Sequence, residues 1–237
     1  MSLLSALQLN AVSDQMEEDF YRTLSDIKEL GYDGVEFDGI FDKDPSVIRD
    51  FLKELELIPV SARVSFDALQ HDLDNVIAAY TAIGCGYITL PCLPQRALPG
   101  NDVFLQTVEE IKEIGMALRA SGIKLLYHSQ AYDFVKVGEE YGLDILCRMT
   151  VQDELKLALD AYRIDACGAA PTDFIQKYAG RTPLVYLRHG MKNIPAILTA
   201  CKKSDTHWAI VTLNDSLRDS APLAAAERSI AYLKPLM

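Results

Sequence analysis

Six apolar runs in the sequence stop at residues able to do chemistry. YDGVEF ends on Glu36, with Asp38 just beyond. IPVSARV carries Arg63. IKLLYH ends on His128 and leads through SQAY to Asp133. LKLALD closes on Asp160. PLVYLRH ends in Arg188 and His189, with Lys192 beyond, and HWAIVTL runs out to Asn214 and Asp215. Carboxylates and imidazoles move protons. Guanidinium groups offset phosphates and carboxylates. The competing reading is plain. Loops are polar, and a charge just past a strand is often a cap or a solvated side chain; Asp38, Lys192 and Asp215 fit that description. Glu36 and Asp160 fit it less well, because each interrupts or closes an apolar run where a carboxylate is costly to bury without a partner. His128 has a core histidine bonded to backbone as its rival.

The positioning elements alternate. LLSALQL reads as a first strand and SDQMEEDFYRTLSDIKEL as a helix, with Met16, Phe20, Leu24, Ile27 and Leu30 at helical spacing and Gly31 at its end. YDGVEF is a second strand, PSVIRDFLKELEL a helix begun by Pro45, IPVSARV a third strand, FDALQHDLDNVIAAYTAIG a helix and GYITLP a fourth strand. A long helix over NDVFLQTVEEIKEIGMALRASG precedes IKLLYH. YDFVKVGEEYGLDILCRM reads as irregular with two short helices. The strands LKLALD, PLVYLRH and HWAIVTL then alternate with the helices TDFIQKYAG, KNIPAILTACKK and APLAAAERSIAYLKPL. Alternation predicts a parallel sheet with right-handed crossovers. Eight such units without a linker predict a (β/α)8 TIM barrel, one domain over residues 1–237. In that fold the strand ends named above meet on one rim, where barrel active sites lie.

Composition narrows the class. The 237 residues are 49% hydrophobic and 24% charged, enough for a sizeable core. A net charge of -11 repels phosphate backbones and argues against nucleic acid as a partner. Cys85, Cys92, Cys147, Cys167 and Cys201 form no C-x-x-C pair and read as free thiols, mostly core filler, in a reducing compartment. No signal peptide and no bilayer-length apolar run is evident, so a cytoplasmic protein without membrane contact is expected. There is no G-x-G-x-x-G after the first strand and no G-x-x-x-x-G-K-[ST], hence no sequence evidence for a nucleotide cofactor. His71, His207 and Trp208 read as structural.

The ordered set of segments resembles the xylose isomerase-like TIM barrels, in the branch of sugar phosphate isomerases/epimerases. LQLNAVSDQMEEDFYRTLSDIKELGYDGVEF is similar to that family's opening, ELELIPVSARVSFDAL, IGCGYITLP and GIKLLYHSQAYDF to its third to fifth strand regions, and LALDAYRIDACGAAPTDFIQKYAGRTPLVYLRHG and HWAIVTLNDS to its sixth to eighth. The resemblance implies a divalent metal held by a carboxylate after the fifth strand, an Asp ending the sixth, a His in the seventh and a Glu ending the eighth. These fall on Asp133, Asp160, Tyr186 and Thr212, and a pair of histidines after the fifth strand becomes His128 and Gln130. The frame is kept, and about half of the metal site is changed.

The resemblance therefore implies an isomerase or epimerase of a small sugar or sugar phosphate, which moves a proton next to a carbonyl. Glu36, His128 and Asp160 are the expected catalytic set. Arg63, Arg188 and His189 are expected to bind substrate, and Asp133 and Asp160 to hold a weakly bound Mg²⁺ or Mn²⁺. Self-association into a homo-oligomer stays open. Two alternatives stand beside this reading: a barrel that has lost catalysis and binds a small carbohydrate-like ligand, and a metal-independent enzyme using His128 or His189 as acid and base.

Overall fold

In the computed structural model, which describes residues 3–188, 190–213 and 221–237, the short apolar runs pair side by side into a closed parallel barrel. Its strands are β1 (Leu4–Gln8), β2 (Gly34–Phe37), β3 (Ile58–Arg63), β4 (Tyr87–Leu90), β5 (Lys124–His128), β6 (Lys156–Asp160), β7 (Leu184–Arg188) and β8 (Trp208–Thr212). They follow one another in chain order, and β8 closes on β1 through Leu4–Trp208 to Leu7–Val211. The (β/α)8 expectation holds. Leu30 and Gly31 end the first helical unit, and the buried Tyr32 hydroxyl donates to the Ala226 carbonyl at 2.9 Å, tying it to the last helix, Pro222–Leu233. Among the described residues no helix is long and apolar enough to cross a membrane.

Two expected helices are broken. The first divides at Asp19 into Ser13–Glu18 and Phe20–Glu29, because Asp19 is extended and its carboxylate accepts from the Arg22 N–H at 3.1 Å as a new N-cap. The second divides at Asp72 into Phe66–His71 and Leu73–Ile83. The irregular stretch after β5 is a 3-10 turn (Ala131–Phe134), a ribbon pairing Lys136–Val137 with Glu140–Tyr141, and one helix, Gly142–Met149, rather than two. A short helix at Ala161–Ala166, begun by Asp160, was not anticipated. Only Cys85 and Cys201 are buried; Cys92 and Cys167 are exposed, so thiols are core filler less often than expected.

The barrel interior is lined by Ala6, Val60, Leu126, Ala158, Leu184, Tyr186, Trp208 and Ile210. Trp208, placed in the core by its apolar run, fills the lower end. Gly34 makes room for it: a Cβ there would lie 2.6 Å from the Ile58 carbonyl oxygen, 2.7 Å from Val60 and 3.2 Å from the indole. Strict alternation from Val60 would send Arg63 outward. The β2–β3 register slips between Val35 and Glu36, from Val35–Pro59 to Glu36–Ser61, which leaves Val60 as an extra residue. Beyond that bulge Ser61 pairs with Tyr87 and Arg63 with Thr89, while Ala62 and Ile88 join the outer core. The bulge thus turns Ser61 and Arg63 toward the barrel axis.

Candidate active site

The C-terminal ends of the strands carry a buried polar layer above the apolar interior. Glu36 has no solvent exposure. One carboxylate oxygen accepts from the Ser61 hydroxyl at 2.8 Å, the other from the Gln8 amide at 2.9 Å, and the Tyr186 hydroxyl reaches both at 2.8 and 2.9 Å. Four strands, β1, β2, β3 and β7, are joined through this one carboxylate. Burial, and then the neighbouring Glu36 charge, push the Tyr186 phenol well above 10, so it is a neutral donor.

A second group lies beside the first. The His128 ring stacks on Tyr186, with centroids 4.0 Å apart and planes at 29°. Its Nε2 is 3.2 Å from Asp160. Asp160 ends β6 and caps the helix that follows, accepting from the Arg163 backbone N–H at 3.0 Å and from Arg163 Nε at 2.9 Å. Burial alone would raise the Asp160 pKa; the bond to His128 and the Arg163 contacts outweigh it and hold the carboxyl below 3.8. Burial also lowers His128 from 6.5, against the pull of Asp160. With the imidazole neutral, Arg163 remains as the charge that keeps Asp160 ionised. An ionised carboxylate selects the tautomer with its proton on Nε2. Nδ1, buried and without a hydrogen-bond partner, is then a bare acceptor.

The two inward arginines differ from the other arginines of the rim. Arg163 has Asp160 as its partner. Among the described residues no carboxylate bridges Arg63 or Arg188, and the buried Nε of each lacks a hydrogen-bond partner. Arg188 lies over the Tyr162 ring, 4.0 Å from its centroid, which fixes it at the rim. It lines a cavity of about 330 Å³ whose walls are mostly apolar, Leu187, Met191, Ile194 and Leu233 among them, and poorly suited to hydroxyls.

The remaining expected residues fall elsewhere. Asp133 is buried, but its carboxylate accepts from the Tyr127 hydroxyl at 2.8 Å and the Gln130 N–H at 2.6 Å. Tyr127 lies on the face of β5 opposite His128, so Asp133 is drawn away from Asp160, and burial raises its pKa to about 7. Asp38 accepts from Asn10 at 2.6 Å, and Lys192 is exposed. His71 and His207 sit in exposed pairs with Asp67 and Asp205. His189, Asn214 and Asp215 lie outside the described residues. Gln8, Ser61 and Arg163 were missed. Gln8 interrupts an apolar run, LLSALQL, as Glu36 does, and Arg163 stands three residues after a capping Asp, so both left a trace in the sequence; Ser61 did not, because the bulge reverses its face.

The donor set fits a divalent cation poorly. Both oxygens of Glu36 are taken by neutral donors, and Asp160 by an imidazole and a guanidinium. Arg63, two residues beyond Ser61 on the same face of β3, adds a positive charge to this rim. Among the described residues no three His, Cys, Asp or Glu side chains group as a metal site. Hard cations need several free oxygen ligands.

No protein-family model matches the sequence, and no curated protein matches it. Solved structures do. A sugar phosphate isomerase/epimerase from Parabacteroides distasonis superimposes with a TM-score of 0.80 at 17% identity, over 99% of this chain and 94% of that one. The fold is that of the xylose isomerase-like TIM barrels. An AP endonuclease of family 2 from Brucella melitensis aligns at 0.77 and 17% identity over 99% of both chains. A D-allulose 3-epimerase from a Methylomonas species, in complex with D-allulose, aligns at 0.73 and 14% identity, over 99% and 97%. One fold thus carries unlike chemistries, and the site has to choose among them.

Proposed function

We propose that this barrel is a sugar or sugar-phosphate isomerase or epimerase that moves a proton next to a carbonyl without a tightly held metal. The observation that carries the reading is the His128–Asp160 pair: a neutral imidazole, its Nε2–H held by an ionised carboxylate, with Nδ1 buried and free. His128 takes the proton from the carbon beside the carbonyl through Nδ1 and returns it. Asp160 fixes the tautomer and stabilises the imidazolium that forms. Tyr186, held by Glu36, supports the His128 ring, and Glu36 positions that phenol. Arg188 offsets a phosphate or carboxylate at the rim. The fold neighbours that are sugar epimerases support this class, and the net charge of -11 favours it over the endonuclease-type chemistry of the Brucella neighbour.

The test is proton exchange. Pentoses, hexoses, inositols and their phosphates are incubated in heavy water with the protein dialysed against a chelator. Deuterium incorporation that survives chelation and is lost in His128→Gln is expected. Activity that appears only with Mn²⁺ or Mg²⁺ would overturn the metal-free reading. Ligand-induced stabilisation without exchange into any sugar would leave a binding barrel.

A further inference from the structure

An arginine directed into the barrel with no acid to meet it needs an explanation. Arg63 is half-buried; its Nε is buried without a partner, and none of the described carboxylates lies within 4 Å of its guanidinium. Leaving such donors unsatisfied costs stability. The chain nevertheless spends a bulge at Val60 on directing it inward, opposite Thr89 on β4. Ser61, two residues earlier on the same face of β3, bonds Glu36, Glu36 holds Tyr186, and His128 stacks on Tyr186, so Arg63 stands on the same inner rim as the proposed base and the phenol. Neither local carboxylate pairs with it: Glu36 accepts from Gln8, Ser61 and Tyr186, and Asp160 contacts His128 and Arg163.

We infer that Arg63 is the electrophile of the site, the fixed cation that holds the oxygen on which negative charge develops. The inference rests on the proton-transfer reading above. When Nδ1 of His128 removes the proton, the C–H bond breaks, an N–H bond forms, and the electron pair moves through the new C=C onto the carbonyl oxygen. The products of that step are imidazolium and an enediolate. Arg63 donates N–H bonds to the enediolate oxygen, and its guanidinium stays protonated throughout, so it polarises without exchanging a proton. His128 then gives the proton to the neighbouring carbon while the hydroxyl proton passes from one enediolate oxygen to the other, so that the second oxygen becomes the carbonyl and the isomer is formed. No oxidant or further reactant enters. A positive charge built into a strand gives what a Lewis acid gives elsewhere, and it accounts for carboxylates that are tied to donors.

The experiment uses the full chain in excess chelator and the enediolate mimic glycolohydroxamate as probe, with binding followed by calorimetry. Wild type is expected to bind it, and Arg63→Ala to bind it at least about tenfold more weakly. Arg63→Lys should recover part of the loss, since it restores charge but not the planar fork. Guanidinium chloride should restore binding, and proton exchange where it occurs, to Arg63→Ala, whereas sodium chloride at the same ionic strength should not. Equal hydroxamate affinity in wild type and Arg63→Ala, with both proteins folded by circular dichroism, would overturn the inference. So would binding by wild type that requires added Mn²⁺. Arg63-dependent hydroxamate binding without exchange into any sugar would keep Arg63 as the oxyanion group and remove the sugar substrate.

Discussion

Tyr186 is where stability and chemistry meet on one atom. Its hydroxyl serves both oxygens of Glu36, and its ring supports His128. Tyr186→Phe keeps the ring and removes the donor, leaving a fully buried carboxylate with Gln8 and Ser61 alone. A loss of about 1–3 kcal/mol in urea unfolding is expected, and Glu36→Gln combined with it should recover part of that loss, because the amide is neutral. A double-mutant cycle checks both. His128 sets the pH dependence. Its native pKa lies below 6.5, so the imidazole stays a base as pH falls through the ordinary histidine range. The acid limb of kcat/KM is therefore expected below pH 6.5, and initial rates across pH measure it. A limb above that value would mean that burial does not lower His128 in the free protein.

At the scale of elements, the junction of β2 and β3 determines the site. Gly34 lets the Ile58 carbonyl, Val60 and Trp208 approach closely just below the bulge. Gly34→Ala inserts a methyl against backbone that cannot yield, which is expected to cost about 1–3 kcal/mol. Because the strain falls at the start of the bulge, Arg63 should lose its aim. Exchange activity and hydroxamate affinity should then drop more than they do in a core variant of equal stability elsewhere, such as Ile111→Val on the outer helix Phe104–Ala120. Equal losses in both would separate the bulge from the site. The strands themselves were legible as apolar runs of the right length. The bulge was not: IPVSARV carries no Gly at Val60, and an apolar residue there reads the same in sequence with or without a slip.

For the whole molecule, the buried Asp133 links stability to pH. Its pKa is about 7 in the native protein, against an ordinary 3.8. Between about pH 4 and 7 the native state holds a proton that the unfolded chain has released, so stability falls as pH rises through that window and the loss is complete above it. Asp133→Asn keeps an acceptor for Tyr127 and Gln130 without the ionisation. Its melting temperature should exceed that of wild type at pH 8 and approach it at pH 4. A difference that is the same at both pH values would show that folding does not raise the Asp133 pKa.

The sequence by itself determined the barrel and most of its rim. Periodicity and the glycines and prolines at element ends act locally, and eight local units of this kind close in one way. It also placed Glu36, His128 and Asp160 at strand ends, because a polar residue closing an apolar run is visible in one dimension. Tertiary structure decided which of these residues touch. The Glu36–Tyr186 bond joins positions 150 apart in sequence, and the face on which Asp133 falls depends on the turn Ala131–Phe134. Partners across a barrel are set by strand register and one bulge, which arise from the packing of neighbouring strands and are written in no single segment. Hence the carboxylates were readable in the sequence as acids, while their capture by Gln8, Ser61, Tyr186 and Arg163, and the inward turn of Arg63 that leaves it without an acid, belong to the folded molecule alone.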